Sequence, residues 1–326
     1  MFLSRRLWAD ALLVLSVVLL FLVLAAYLAR FLIVGAPDLV LGFVASSPWV
    51  MLIGAPLALI FAVAIRQWYV VPIAVVLTVL GLVTQLPLFV ATTAPKDGVE
   101  VTVMTSNLRL GEASASDVVS AVRAHDVALL MVQEMTAPME QQLENAGLDQ
   151  LLPFKSAQSG GGASGTGLWS KYPIVDSSFP TGFSFVLVEA QVAIPGVQLA
   201  NVVALHMTGP VPASAGWEKD IRKLPSFLQS LPADAPTIVA GDFNATYDTK
   251  AFRNLLVGGF ADGADQAGAG IVRTYPSNAT VPPLIGIDHV LTRGGPVVTK
   301  INTVKISGTD HRAVVAKLSL PHNANS

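Results

Sequence analysis

Ile238-Val239-Ala240-Gly241-Asp242-Phe243-Asn244 is an apolar, β-rich run that stops on a glycine and is followed at once by a carboxylate and, two residues on, an amide. Side chains alternate across a strand, so residues 242 and 244 point to one side if the strand runs on that far. A carboxylate there can take a proton from water, and an amide nitrogen can donate to a phosphoryl oxygen. The same residues also suit an Asx-turn that closes a strand. On this stretch alone both readings stay open, and the rest of the chain has to decide.

Working outward, other strands also end on polar residues. An alternating strand at 100–105 ends in Ser106-Asn107, and the apolar run at 126–132 ends in Gln133-Glu134. A hairpin of 183–194 and 197–205, turning at Pro195-Gly196, ends at His206. Asp288-His289 lies inside the strand 287–291, and the last strand, 313–318, follows Thr309-Asp310-His311. Asp288 stands out, because a carboxylate within an apolar strand is costly to bury unpaired. His289 alternates to the other face and is left aside. Further strands are expected at 166–169, 237–240 and 298–306. Helices are expected at 116–124 (N-cap Ser114 or Ser116), 138–146 (ended by Gly147), 217–231 (interrupted by Pro225) and 249–256. The mixed order, without strict alternation, argues for an α+β sandwich over a doubly wound sheet. The glycine-rich run 159–165 reads as a mobile loop. No Gly-Lys-Ser/Thr follows it, which excludes a P-loop.

The first third reads differently. The chain is 52% hydrophobic and only 13% charged, with a mean hydropathy of +0.59, against roughly 25% charged residues in soluble domains. Apolar stretches at about 7–34, 49–65 and 69–90 approach or exceed the ~20 residues that cross a bilayer. Pro56 is expected to kink the second. Arg5 and Arg6 precede the first span and Arg66 lies between the second and third. The positive-inside rule then puts the N-terminus in the cytoplasm and everything after residue 90 outside it. Arg30 opposes this unless it snorkels outward. Residues 1–94 therefore form an expected membrane domain, 95–98 a linker, 99–320 a catalytic domain and 321–326 a tail. The first 94 residues carry four of the 20 basic and two of the 22 acidic groups, which leaves the remainder net negative. It lacks the basic footprint of a nucleic-acid binder. The absence of cysteine excludes disulfides and thiolate metal sites.

Asn107, Gln133-Glu134, His206, Gly241-Asp242-Phe243-Asn244, Ile287-Asp288-His289-Val290 and Asp310-His311 stand in an order that resembles the endonuclease/exonuclease/phosphatase family, the DNase I-like proteins. Gly167-Leu168-Trp169-Ser170-Lys171-Tyr172-Pro173-Ile174 resembles a further segment of that family, with Lys171 where arginine is usual. The resemblance covers about 99–320. It implies a four-layer α/β/β/α sandwich and a Mg²⁺ ion, with Mn²⁺ as the alternative. Glu134, Asn107 and Asp310 would lie on the metal side. Asp242 would orient or deprotonate the attacking water, and Asn244 would donate to the phosphoryl oxygen. His311 would bind that oxygen with Asp288 behind it, and His206 would assist the leaving group.

Three spans before such a domain look like the teicoplanin-resistance membrane proteins. That resemblance implies a multi-pass protein of the cell membrane that acts extracytoplasmically on a lipid-linked phosphate, pyrophosphate or phosphodiester, such as a polyprenyl pyrophosphate. The alternatives are a surface nuclease and a catalytically inactive binding module on the same fold.

Overall fold

The computed structural model describes residues 2–33, 47–197, 199–209 and 214–322. Val34 at the end of the first expected span, Gln198 in the expected hairpin and 323–326 of the expected tail lie outside the described residues. The chain divides into two compact units. One is Met1–Pro87 with Asp248–Lys250, the other Leu88–Tyr247 with Ala251–Ser326.

The first unit contains α1 (Phe2–Leu32), α2 (Ser47–Ala64) and α3 (Val71–Gln85). Three stretches, of 27, 18 and 19 residues, are long and apolar enough to cross a membrane. Small residues lie inside: Ala26, Ala55, Ala58, Ala62 and Ala74 are fully buried, and Gly81 meets the Tyr27 hydroxyl and the Met51 carbonyl. Large apolar residues such as Phe21, Leu24, Val79 and Val83 face outward. Close approach of backbones through small side chains, with bulk turned out, is how helices associate when lipid replaces water. The irregularity expected at Pro56 takes the form of a π-helical stretch, Val50–Gly54, which feeds Pro56 into the first turn of the next segment. Arg30 does not snorkel outward. It is buried and ion-paired with Asp248, whose carboxylate also accepts from Gln85 at 2.9 Å. A paired charge avoids the desolvation cost that would drive a lone one to the interface.

The second unit is two six-stranded sheets. The first has the order β11 (Val297–Lys305), β12 (Arg312–Leu320), β1 (Val99–Asn107), β2 (Leu129–Gln133), β4 (Thr166–Ser170), β3 (Phe154–Gln158). The second has the order β5 (Ile174–Ser178), β6 (Val188–Val192), β7 (Ala200–His206), β8 (Thr237–Asp242), β10 (Asp288–Arg293), β9 (Ala261–Asp262). Val103, Met131, Ala204, Ala240, Val290 and Val314 belong to one buried cluster drawn from both sheets. The alternate residues Met104, Leu130, Val132 and Val315 pack instead with α4 (Ala115–Ala124) and α5 (Ala137–Asn145). Ser114 caps α4, accepting from the Asp117 amide, and left-handed Gly147 follows α5. Across the other sheet α6 (Ser214–Ser230) is tied to β10, where the Arg293 guanidinium donates to the Leu228 and Leu231 carbonyls at 3.1 and 2.9 Å. The helix runs through Pro225 without breaking. Its buried Trp217, Ile221, Leu224 and Leu228 outweigh the ~3 kcal/mol a proline costs there.

Topology explains where the polar strand ends go. Each sheet contains one parallel pair, β1 with β2 and β7 with β8. The C-terminal ends of those four strands therefore lie together in their sheets. The neighbours β12 and β10 run antiparallel to β1 and β8, so they begin at that same edge. Asn107 lies opposite Gln133, while His206, Asp242 and Asp288 lie opposite one another in succession. Gly241 makes the second alignment tight: a Cβ there would collide with the Leu205 carbonyl of the neighbouring strand.

Candidate active site

Asn107 is the hub of the mouth. Its amide Nδ2 donates to Glu134 Oε1 and to Asp242 Oδ2, each at 3.0 Å, which bridges the two sheets. Its own Oδ1 accepts from the Arg109 amide at 2.8 Å. Glu134 Oε2 accepts from the Leu110 amide at 2.8 Å. Glu134, Arg109, Leu110 and Asn244 all have left-handed backbone, with φ of 56, 47, 54 and 48°. Such conformations are uncommon outside glycine and cluster where a site imposes them.

Asp242 closes the first motif. Its Oδ1 accepts from the Asn244 amide at 2.8 Å, so the Asx-turn and the chemical site are the same object. The Asn244 side chain donates to the Met207 carbonyl at 2.7 Å and has a second N–H to spare, facing His206 Nε2 at 3.5 Å. His206 Nδ1 meets the Ala163 carbonyl at 3.0 Å, and a carbonyl only accepts. That fixes the proton on Nδ1 and aims Nε2 at Asp242 and Glu134, at 3.6 and 3.9 Å.

His311 comes from the other sheet. Its Nδ1 donates to Asp288 Oδ2 at 2.9 Å, and its Nε2 lies 3.7 Å from Asp242 Oδ2. Burial pulls the imidazole down, but Asp288 and Asp242 outweigh it and push it up to about 10. Burial and the Asp288 charge push the Asp242 carboxyl up to about 6, against the pull of His311 and His206. Asp310 is more peripheral, 4.0 Å from the Arg109 guanidinium.

All eight residues singled out in the sequence are thus at this edge of the sheets. Asn107, Glu134, Asp242, Asn244 and His206 form one connected group, His311 and Asp288 join it through Asp242, and Asp310 stands at its rim. Three further participants carried no sequence signal. Tyr275 stacks on His311 with ring centroids 5.0 Å apart, and burial together with Asp310 and Asp242 pushes its phenol upward. Thr309 accepts from the His311 amide and donates to the Asn107 carbonyl, at 3.2 and 2.9 Å. Phe185 stacks on His206 at 4.8 Å.

The donor set fits a divalent cation. Asp242, Asp288 and His311 have potential ligand atoms within 4.8 Å of one another, the carboxylates as anions and His311 only once it has given up its proton. Asp288 Oδ1 is buried with no hydrogen-bond partner, which ordinarily costs free energy unless something positive completes it. Carboxylate oxygens suit a hard cation.

The sequence pattern of the Endonuclease/Exonuclease/phosphatase family matches residues 104–311. No match is found among curated proteins. Among solved structures, a humanized TDP2 from D. rerio superposes with a TM-score of 0.58 at 18% identity, covering 68% of this chain and 99% of that one. A family protein from Bacteroides vulgatus gives 0.54 at 18%, covering 68% and 100%. One from Beutenbergia cavernae gives 0.53 at 17%, covering 68% and 72%. At these identities the likeness establishes the fold alone, a sandwich of two sheets flanked by helices. With the family pattern running from β1 to His311, through every polar strand end described above, this chain belongs to the endonuclease/exonuclease/phosphatase family.

Proposed function

We propose that the protein is a membrane-anchored, Mg²⁺-dependent phosphohydrolase acting outside the cytoplasm on a lipid-linked phosphate, pyrophosphate or phosphodiester. The observation that carries this reading is the meeting of Asp242, His206 and His311 within 3.6–3.7 Å, in a chain that also has three membrane-length helices. Tethering a phosphohydrolase to a bilayer gives it lipid head groups at high effective concentration.

Asp242 accepts a proton from the attacking water, a task for which a carboxyl held near 6 is suited at neutral pH. Asn244 turns its spare N–H to a phosphoryl oxygen. His311, kept protonated by Asp288, offers Nε2–H to the same developing charge. In its imidazolium form His206 would give the Nε2 proton to the leaving oxygen while its Nδ1–H stays on the Ala163 carbonyl. Glu134, Asn107 and Asp310 would hold the ion. A bound Mg²⁺ would neutralise charge on the phosphoryl oxygens.

The test is hydrolysis by the purified full chain, with Mg²⁺ and with EDTA, of undecaprenyl pyrophosphate, sphingomyelin and plasmid DNA. Mg²⁺-dependent cleavage of either lipid is expected. Cleavage of DNA alone would replace the reading with a surface nuclease, and cleavage of nothing with an inactive binding module. A reporter fused after residue 100 tests the side of the membrane.

A further inference from the structure

Asp248 follows the Asp242–Asn244 motif in the chain but packs with the membrane helices. Asp248–Lys250 form one compact unit with Met1–Pro87, while Tyr247 and Ala251 on either side belong to the other unit. The Asp248 carboxylate is ion-paired with Arg30 of α1 and accepts from Gln85 Nε2 of α3 at 2.9 Å. Asp248, Arg30 and Gln85 are 3, 3 and 1% exposed, so all three polar side chains are withdrawn from solvent. Arg30 lies in the last turn of α1, and Gln85 is the last residue of α3. One acid from a loop therefore joins the C-terminal ends of two spans. Helix dipoles favour a cation at that end, not a carboxylate, so Arg30 is what keeps Asp248 there. Ionisable groups are costly inside a span, and where they occur they pair with one another and mark function.

The other end of this loop is the catalytic mouth. Asn244 precedes Asp248 by four residues, so their Cα atoms are at most about 14 Å apart. The segment between them has little slack. The Asn244 amide donates to Asp242 Oδ1 and its side chain to the Met207 carbonyl, at 2.8 and 2.7 Å. The Ala245 carbonyl meets His289 Nε2, and the Tyr247 carbonyl accepts from Arg253 Nη1, both at 3.0 Å. Asn244 has left-handed backbone, with φ of 48°. A residue other than glycine keeps that conformation only where its surroundings over-determine it. The bonds of Asp248 to Arg30 and Gln85 are the last of this series.

We propose that Arg30 and Gln85 are positioning residues for the catalytic mouth. By fixing Asp248 they hold the 244–248 loop, so that Asn244 keeps its left-handed turn and its amide stays on Asp242. The spans then take part in the reaction as well as anchoring the chain, and the mouth is set only while the ends of α1 and α3 share Asp248. This rests on the phosphohydrolase reading and adds the membrane helices to its machinery.

Two measurements on the full chain in detergent test it. The first is steady-state hydrolysis of whichever of undecaprenyl pyrophosphate, sphingomyelin and plasmid DNA the unaltered chain cleaves. R30Q and D248N should each lower kcat at least tenfold with KM held within threefold, and R30K should recover most of the loss. Reversing the pair, R30D with D248R, should restore more activity than either reversal alone. The second is hydrogen exchange of the 243–248 amides. It should quicken at least tenfold in R30Q and D248N while β1 and β2 keep their protection. Quickened exchange in a chain that cleaves none of the three substrates would keep the positioning role and sink the phosphohydrolase. Unchanged exchange, or a loss that falls on KM and is not recovered in R30K, would sink the positioning role and leave the phosphohydrolase standing. Gln85→Leu should show both changes to a smaller degree, which keeps the test decisive if the Arg30 variants fail to fold.

Discussion

Strand β10 carries two buried histidine–carboxylate pairs on opposite faces, and only one of them belongs to the mouth. On the front, Asp288 bonds His311, which faces Asp242. On the back, His289 lies 3.4 Å from Asp262 and bonds the Ala245 carbonyl at 3.0 Å. The back pair is walled in: Phe252 stacks on the ring at 4.1 Å and Phe243 meets it edge-on at 5.7 Å. Burial pulls His289 down, and Asp262 more than reverses that, so both imidazoles are raised. What separates them is completeness. At the back both ring nitrogens have partners and aromatic rings seal the pair, whereas at the front Asp288 Oδ1 is left bare and three carboxylates converge. A perturbed histidine is therefore a poor marker of chemistry, and an unfinished hydrogen-bond set around it is a better one.

The contrast can be broken by substitution. His311→Ala or Asp242→Ala should cut Mg²⁺-dependent hydrolysis by about 10²–10⁴-fold, the usual worth of a proton-transferring group, with the circular dichroism spectrum kept. Full activity in either purified variant would end the assignment of the front pair. Asp288→Asn keeps the shape but weakens the hold on His311, and should lower activity or metal affinity by about 10–100-fold, read as a Mg²⁺ titration. A pH profile sharpens the picture. With Asp242 at about 6, kcat/KM should fall by about tenfold per pH unit well below that value, and a flat profile from pH 7 to 4.5 would contradict Asp242 as base. Smallest in activity is His289→Gln, expected to cost only a few-fold in rate but about 1–3 kcal/mol in stability, because buried Asp262 loses its His289 partner and keeps only the Ala264 amide. A large rate loss at unchanged melting temperature would erase the distinction between the faces.

Stability should also follow pH in a stated direction. Both front groups have folded values above their ordinary ones, so the folded form binds protons more tightly. The Asp242 contribution is present below about 4 and lost by about 6, and that of His311 is present below 6.5 and lost as pH rises to about 10. The metal-free protein should melt lower at pH 9 than at pH 6, and His311→Gln should flatten that difference.

Much of this was readable in the chain, for a physical reason. The central strands are buried on both faces or alternate cleanly, so β1, β2, β8 and β12 stood out, and their polar ends stood out by contrast. Edge strands β3 and β5 did not, because their residues are mostly exposed and show no period of two. The helix expected at 249–256 shrinks to one turn, α7 (Lys250–Arg253), since its flanks serve as turns. The strand expected from Asp126 begins at Leu129, after Asp126 takes a left-handed turn. Tyr275 reaches His311 from a loop where Pro276 follows it, and Thr309 from the turn before β12, and no local pattern announces either contact.

Val99 lies opposite Leu320, so the first and last strands of the second unit are neighbours in the middle of one sheet. Strand β1 therefore has a vacant flank until some two hundred residues of chain have been made. A nascent polypeptide stopped short of Arg312 has no β12 to pair with β1, so the first sheet is completed only after that strand has been made. Contacts of such wide sequence separation form slowly, and deleting a few residues from β12 should harm the mouth more than deleting as many from a surface loop.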